Sequence, residues 1–414
     1  MKEPKRILYI NNFFTKYGGA ENTIQKISSL MANKGHEVFY FSTDKKPYFK
    51  ENYEYSKYFT EFSDKRKLSF DKPENFMKTF YNFEAKRNLK TYLNEIKPDL
   101  VSIHNIHFHL TPSVIDACEE LKIPMVFYFH DPRSFCPGGT LSYRGQYCHK
   151  KHCITGNPLM CLVNKCKLDS FKGSLIASIY YLYFRSLNIF NKAAAIICPS
   201  QAMLNLALSA GVKKDKLYHI NHFIEDELLQ TESGNDNQDY FLYVGRLDRE
   251  KGVDLLIEAM RKLPKDVLLH IVGEGYEKEK LINLAKSYNL DNINFLGYLD
   301  GEDLKIQYQN CLATILPCNW FEVFGRTLLE SFLCSKPVIA SNIAAIPNII
   351  DHGLNGYLFE PKNIEEISEM MLRLINDKEF AAEMGENGNK KLKLLYNSEL
   401  YYSKYLELLI KILN

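Results

Sequence analysis

Apolar positions along this chain follow two alternating periods. Residues 6–14, "RILYINNFF", form a β-rich run, and residues 18–35 then place Ile24, Ile27, Leu30 and Met31 on one helical face. "GHEVFYFST", "DLVSIHNIH", "PMVFYFHD" and "AAAIICPS" read as further buried strands. After residue 240 the pattern restarts: "YFLYVGRL" is a strand, "VDLLIEAMRKL" a helix, "VLLHIVGEG" a strand and "EKEKLINLAKSYNL" a helix. "INFLGYL", "ATILPC" and "PVIASNI" continue the strands. This alternation predicts an α/β chain of two Rossmann-like doubly wound domains, with parallel sheets covered by helices. The polar stretch "TESGNDNQD" at 231–239 marks the boundary. The first domain is expected over residues 1–230 and the second over 231–397. Residues 398–414 form a terminal helix. Ligands of such sheets bind at the carboxyl ends of the strands, so two facing domains put the site in a cleft.

Two stretches depart from the pattern. Residues 132–170 are rich in Cys, Gly and Lys with little periodicity, and read as an insertion in the first domain. The aromatic segment 174–190 follows; it predicts a buried helix, with a membrane-resting face as the alternative.

Composition narrows the function. The chain has 414 residues, 46% of them apolar and 25% charged, the balance of a soluble globular protein. A net charge of +2 gives no support to a nucleic-acid partner. Neither a signal-peptide pattern nor a spanning apolar run of roughly 18 residues is found, so the expected compartment is the cytosol. Five of the ten cysteines fall in the insertion. Cys148, Cys153, Cys161 and Cys166 could hold a structural zinc, although their spacing is loose; disulfides and reduced thiols are the other readings. The scattered cysteines read as buried thiols.

Candidate chemistry collects at strand ends. In "VGRLDREKG", Arg246 and Lys251 stand between a strand and a helix, where both can bind a diphosphate. In "NWFEVFGRTLLE", Gly325 lets the backbone approach a ligand, and Phe324 to Thr327 open a helix whose free amides suit an anion. Glu330 fits a ribose diol, which a carboxylate can grip by accepting two hydroxyls. Glu322, with seven residues between it and Glu330, would face the sugar at the other end. That separation does not suit a glycosidase pair flanking one bond. Gly18 and Gly19 in "YGGAE" and Gly273 in "GEG" are weaker glycine turns, and no P-loop motif is present. His130 at the end of "FYFHDP" can contact a sugar oxygen or move a proton. His104 and His107 end the preceding strand run with the same options, although each alone reads as well as a structural histidine.

Taken in order, "YGGAE", "GHEV", "FHD", "CPS", "YVGRLDREKGVDLLIEA", "IVGEG", "FLGYL", "NWFEVFGRTLLE" and "KPVIASNIAAIPNII" resemble the family 4 glycosyltransferases, retaining enzymes of the two-domain GT-B fold. The resemblance implies a nucleoside diphosphate sugar donor, such as a UDP- or GDP-sugar. It places Arg246 and Lys251 on the diphosphate and Glu330 on the ribose. Glu322 and His130 go to the donor sugar, and residues 324–327 to the phosphates with Gly18, Gly19 and Gly273 nearby. Leu296 and Tyr298 would lie near the base. Catalysis would need no cofactor beyond these groups, since Arg246, Lys251 and the helix amides meet the leaving diphosphate's charge. The acceptor would be a glycan or lipid-linked glycan at the inner membrane face, in polysaccharide or glycolipid synthesis. The terminal helix would pack back on the first domain. An epimerase or phosphorylase on the same architecture, or a non-enzymatic sugar- or zinc-binding protein, are the competing readings.

Overall fold

The structure is a computed structural model that describes residues 5–14, 19–43, 53–60, 73–143, 146–148, 152–225 and 240–413. Gly18 and the stretch 231–239 lie outside the described residues. The chain divides into two units. The first comprises Met1–Gly139, Lys151–Asn221 and Tyr401–Asn414; the second comprises Thr140–Lys150 and His222–Leu400.

In chain order the strands up to residue 219 are β1 (Arg6–Ile10), β2 (Glu37–Phe41), β3 (Leu100–Ile103), β4 (Met125–Tyr128), β5 (Ser142–Tyr143), β6 (Gln146–Tyr147), β7 (Ala195–Cys198) and β8 (Leu217–His219). Six of them form the first sheet in the order β2-β1-β3-β4-β7-β8, with every pair parallel. Strands β3, β4 and β7 are buried along their whole length. Helices cover both faces of such a sheet, and this explains the near-continuous apolar runs in the sequence. Parallel register sets Ser102 beside Val126 and Ile103 beside Phe127, so the residues leaving β3 and β4 start side by side. The "CPS" motif has a local cause: Ser200 caps the helix Gln201–Ser209 by accepting from the Met203 amide at 3.2 Å.

The second sheet is built from β9 (Tyr240–Val244), β10 (Leu268–Val272), β11 (Ile293–Gly297), β12 (Ala313–Leu316), β13 (Val338–Ser341) and β14 (Gly356–Phe359). Its order, β11-β10-β9-β12-β13-β14, is also all parallel. Within this unit that is the Rossmann order 3-2-1-4-5-6, whose switch point lies between β9 and β12. The loops after those two strands are the ones that carry Arg246, Lys251, Glu322 and Gly325. Beneath them lies a core that includes Phe241, Tyr243, Leu256, Ile257, Ile271, Ile339 and Met371, all nearly inaccessible to solvent. Truncating one such side chain to Ala costs about 2–5 kcal/mol, which keeps the switch-point loops on a rigid base.

Two features differ from the expectations. The insertion does not fold as one piece. Its hairpin β5/β6 groups with the second unit, where Tyr147 stacks on Phe321 at 6.3 Å between ring centroids. The aromatic segment forms the helix Phe171–Ser186, but it is buried on one side only. Ala177, Tyr180, Tyr181 and Phe184 pack inward, while Phe171, Leu175, Ile179 and Leu182 are exposed. The terminal helix Ser398–Leu413 contributes Tyr401, Tyr405, Leu408 and Leu409 as buried residues, and Tyr401–Asn414 groups with the first unit.

Candidate functional site

The second unit assembles a polar cluster at its switch point. Lys251 lies in the turn after β9, and its Nζ donates to Glu322 Oε2 at 2.8 Å. Trp320 Nε1 donates to the same oxygen at 3.0 Å, and Lys251 Nζ sits 4.7 Å from the Trp320 ring centroid. The Lys251 and Glu322 side chains are only 15% and 12% exposed, so their attraction is screened little by water. Glu322 Oε2 therefore has two donors, while Oε1 has no hydrogen-bond partner among the described residues. The turn is tied down as well: the Asn319 amide donates to the Glu250 carbonyl at 2.9 Å.

Gly325 caps the helix Arg326–Leu333 with φ +91°, a left-handed conformation that favours glycine. A Cβ there would meet Leu328 Cδ1 at 3.0 Å. Among the described residues the amides of Arg326 and Thr327 have no acceptor, as is usual for a first helical turn. Unsatisfied amides and the positive end of the helix dipole make this mouth attractive to an anion. Phe324 turns its ring into the core against His222, at 4.7 Å between centroids, so only its backbone can serve a ligand. Further along the same helix, Glu330 Oε2 accepts from Tyr308 Oη at 2.9 Å. Tyr308 comes from the helix Gly301–Asn310 and is otherwise buried.

The other expected residues of this unit occupy neighbouring strand ends. Arg246 is largely exposed and pairs with Asp248. Burial is the main influence raising the Asp248 carboxyl above its ordinary value. Gly273 follows β10 with φ +140°, and a Cβ would come within 1.9 Å of the Gly245 carbonyl oxygen. Its amide donates to the Gly297 carbonyl at 2.7 Å. Leu296 and Tyr298, at the end of β11, are 36% and 50% exposed. Strand order thus sets out Tyr298, Gly273, Lys251 and Glu322 along consecutive loops of one sheet edge.

In the first unit His130 follows β4, and its Nε2 lies 2.7 Å from His104 Nδ1. His104 Nε2 is 2.9 Å from Ser102 Oγ. The His104 ring stacks on Tyr128 and on Tyr9, with centroid separations of 5.4 and 5.8 Å. Burial pushes the His130 imidazole down to about 3, and holds His104 well below its ordinary value with help from His130. Both rings are therefore neutral at pH 7. His107 is buried against Ser134 at 3.2 Å, a structural position. Asp131 is spent on a cap, accepting from the Arg133 amide at 2.8 Å. Gly19 opens the helix Gly19–Asn33.

The four cysteines for which a structural zinc is one of three readings form no disulfide among the described residues and divide between the two units. Cys148 falls in the second unit, while Cys153, Cys161 and Cys166 fall in the first. Cys161 and Cys166 adjoin each other, with Cys136 and Cys153 close to Cys166. Among the described residues no group of three or more His, Cys, Asp or Glu side chains is disposed to hold a metal ion.

Sequence reasoning brought Lys251 and Glu322 to one site but gave them separate partners; here they contact each other. It missed Trp320 and Tyr308. Trp320 carried a usable signal, being the single tryptophan and two residues before Glu322. Tyr308 carried none, since nothing in local spacing links it to Glu330.

With this geometry in hand, the chain can be compared with known proteins. The model of Glycosyltransferase Family 4 matches residues 17–228, and that of Glycosyl transferases group 1 matches residues 225–391. An uncharacterized glycosyltransferase of Methanocaldococcus jannaschii is 31% identical over 195 residues, which is 47% of this chain and 53% of that protein. The aligned stretch thus spans about half the length of that curated relative. Sucrose-phosphate synthase from Thermosynechococcus elongatus superposes with TM-score 0.71 at 19% identity, over 98% of each chain. Anabaena HepE in complex with UDP-glucose superposes with TM-score 0.65 at 17% identity, over 98% of this chain and 99% of that one. At these identities the two superpositions establish the fold.

Proposed function

The chain belongs to the family 4 glycosyltransferases, and we propose that it moves a sugar from a nucleoside diphosphate sugar to an acceptor hydroxyl with retention at the anomeric carbon. The observation that carries this reading is the Lys251–Glu322–Trp320 cluster beside the open helix mouth at Gly325. It offers cation, free amides and a carboxylate at adjoining positions, which suits a diphosphate joined to a sugar. Glu322 Oε1 takes a sugar hydroxyl. Lys251, Arg246 and the Arg326 and Thr327 amides take the phosphates, and Glu330 takes the ribose diol. His130 is assigned to the donor sugar.

In the proposed step the bond from the anomeric carbon to the phosphate oxygen breaks and the acceptor oxygen bonds to that carbon. The acceptor proton passes to the departing phosphate. Charge grows on the diphosphate as it leaves, and prepositioned donors stabilise it without reorganising. A UDP- or GDP-sugar is the donor class; the HepE complex with UDP-glucose supports that class.

The acceptor is a glycan or lipid-linked glycan of surface polysaccharide or glycolipid synthesis, met at the cytoplasmic face of a membrane. The exposed stripe Phe171, Leu175, Ile179 and Leu182 supports membrane contact, with Lys172 exposed on the same helix. No helix among the described residues is long and apolar enough to cross a membrane.

A panel of nucleotide sugars screened for thermal stabilisation tests the donor class. A ligand at 100 times its Kd stabilises the folded state by about 2.7 kcal/mol. The stabilising donor is then incubated with and without glycan acceptors. Release of nucleoside diphosphate only with acceptor supports transfer, and conversion of the nucleotide sugar without acceptor overturns it.

A further inference from the structure

We infer that His104 is a positioning residue that fixes which nitrogen of His130 carries its proton, so that His130 meets its ligand as a hydrogen-bond donor through Nδ1. The role given to that donor rests on the assignment of His130 to the sugar; the proton placement itself does not.

Each neutral imidazole has one N–H and one acceptor nitrogen, and the partner at one nitrogen sets the other. His104 and His130 face each other Nδ1 to Nε2 at 2.7 Å, so one proton lies between them. On the far side of His104, Nε2 meets Ser102 Oγ at 2.9 Å. The order of donors follows from the serine. Its hydroxyl proton needs an acceptor in a buried place, and the His104 lone pair at Nε2 is the one it meets. Ser102 therefore donates to His104 Nε2, and His104 carries its proton on Nδ1. That proton is donated to His130 Nε2, which leaves the His130 proton on Nδ1.

The relay depends on the fold. Ser102 is in β3, His104 lies just beyond it, and His130 lies just beyond β4, its parallel neighbour. Tyr128 locks the geometry by stacking on both rings, at 5.4 Å from His104 and 4.7 Å from His130. Burial keeps both imidazoles neutral, so the tautomer rather than the charge is what the relay controls.

Long-range proton–nitrogen NMR of the histidine-labelled full chain at pH 7.5 reads the tautomer directly, with His104→Phe and His130→Ala used for assignment. The wild-type His130 signal is expected to show the Nδ1–H form. His104→Phe keeps a ring to stack but removes the nitrogen, and His130 should shift toward the Nε2–H form. His104→Asn puts an amide donor near the lost Nδ1 and should restore the wild-type form. In transfer assays His104→Phe should lower kcat roughly 10- to 100-fold, the range seen when the partner orienting a functional histidine is removed. The donor KM should change less than twofold, and His104→Asn should recover most of the loss. A wild-type His130 protonated at Nε2 overturns the inference without recourse to any variant. So does a His130 tautomer that is identical in wild type and His104→Phe. If His130→Ala transfers normally, the sugar assignment of His130 fails instead, and the NMR result still decides the relay.

Discussion

Lys251 Nζ and Glu322 Oε2 stand 2.8 Å apart in a nearly dry setting, with Trp320 holding the same oxygen from a second direction. A buried pair of this kind costs desolvation on both partners, and breaking it by removing one partner leaves an uncompensated charge. Its presence at the switch point, where an apolar pair would be at least as stable, points to use rather than to stability.

Lys251→Ala should weaken nucleoside diphosphate binding by roughly 10- to 100-fold, the loss of one charge-assisted contact to phosphate. It should also destabilise the second unit by about 3 kcal/mol, because Glu322 is left in its nearly dry setting without its cation partner. Glu322→Gln should leave diphosphate affinity close to wild type and lower transfer by about 100-fold or more. Calorimetry with UDP and GDP and steady-state rates separate the two. Equal affinity in wild type and Lys251→Ala would refute the phosphate role. The double variant Lys251→Met/Glu322→Gln should unfold at higher urea than Lys251→Ala, since neither charge is then stranded.

Tyr308→Phe removes only the hydroxyl that donates to Glu330 Oε2. The carboxylate is then freer to rotate, and diol recognition should suffer. Nucleotide affinity should fall about 5-fold, in line with about 1 kcal/mol for one hydrogen bond. A 2′-deoxy nucleotide is the check: it should bind wild type and Tyr308→Phe with nearly equal affinity. A Tyr308→Phe defect that persists with the deoxy nucleotide would place the tyrosine outside ribose recognition.

Acid should destabilise the first unit through its histidines. Burial holds His107 and His130 at about 3, whereas an unfolded imidazole titrates near 6.5. Because the folded values lie below the unfolded one, the full stability is present above pH 6.5. It is lost as the pH falls from there toward 3. By pH 5 each histidine costs about 2 kcal/mol relative to pH 7.5. Urea titrations at the two pH values measure this, and His107→Asn should show the smaller difference. For the same reason the kcat profile should carry no inflection from His130 between pH 6 and 8.

Flotation with anionic vesicles tests the exposed stripe of the helix Phe171–Ser186. Wild type should float, and Leu175→Ser/Ile179→Ser/Leu182→Ser should remain below. These side chains are 39–48% exposed, so the triple variant should keep its melting temperature within a few degrees. Equal flotation of both proteins, or of neither, counts against membrane contact through this face.

The sheets were readable because their central strands are buried on both faces and bounded by glycine or polar residues, as in "YFLYVGRL" and "PVIASNI". Lys251, Glu322 and Gly325 could be singled out because each lies in a strand-to-helix connection, and Glu330 because it lies in the helix that follows Gly325. Partnerships across the sequence were not. His104 meets His130 only because β3 and β4 pair in one parallel register, and a shift by one residue would separate them. Tyr308 reaches Glu330 through tertiary placement of another helix. The aromatic segment was half legible: its apolar content predicted a helix, but an apolar helix does not say which of its faces is covered. The cysteine stretch left zinc, disulfides and reduced thiols open because numbering alone does not say which thiols share a place: Cys161 and Cys166 adjoin, while the hairpin carrying Cys148 groups with the second unit.

Trp320 is the only tryptophan of the chain, and its indole N–H is held by the carboxylate assigned to the sugar while a lysine ammonium lies over its ring. Emission excited at the indole band therefore comes from this one place. Any movement of Lys251 toward a phosphate, or of Glu322 toward a hydroxyl, changes the field around the excited ring. Donor arrival and product departure can be timed in the unlabelled protein by stopped-flow fluorescence, and loss of the signal change in Trp320→Phe identifies its origin.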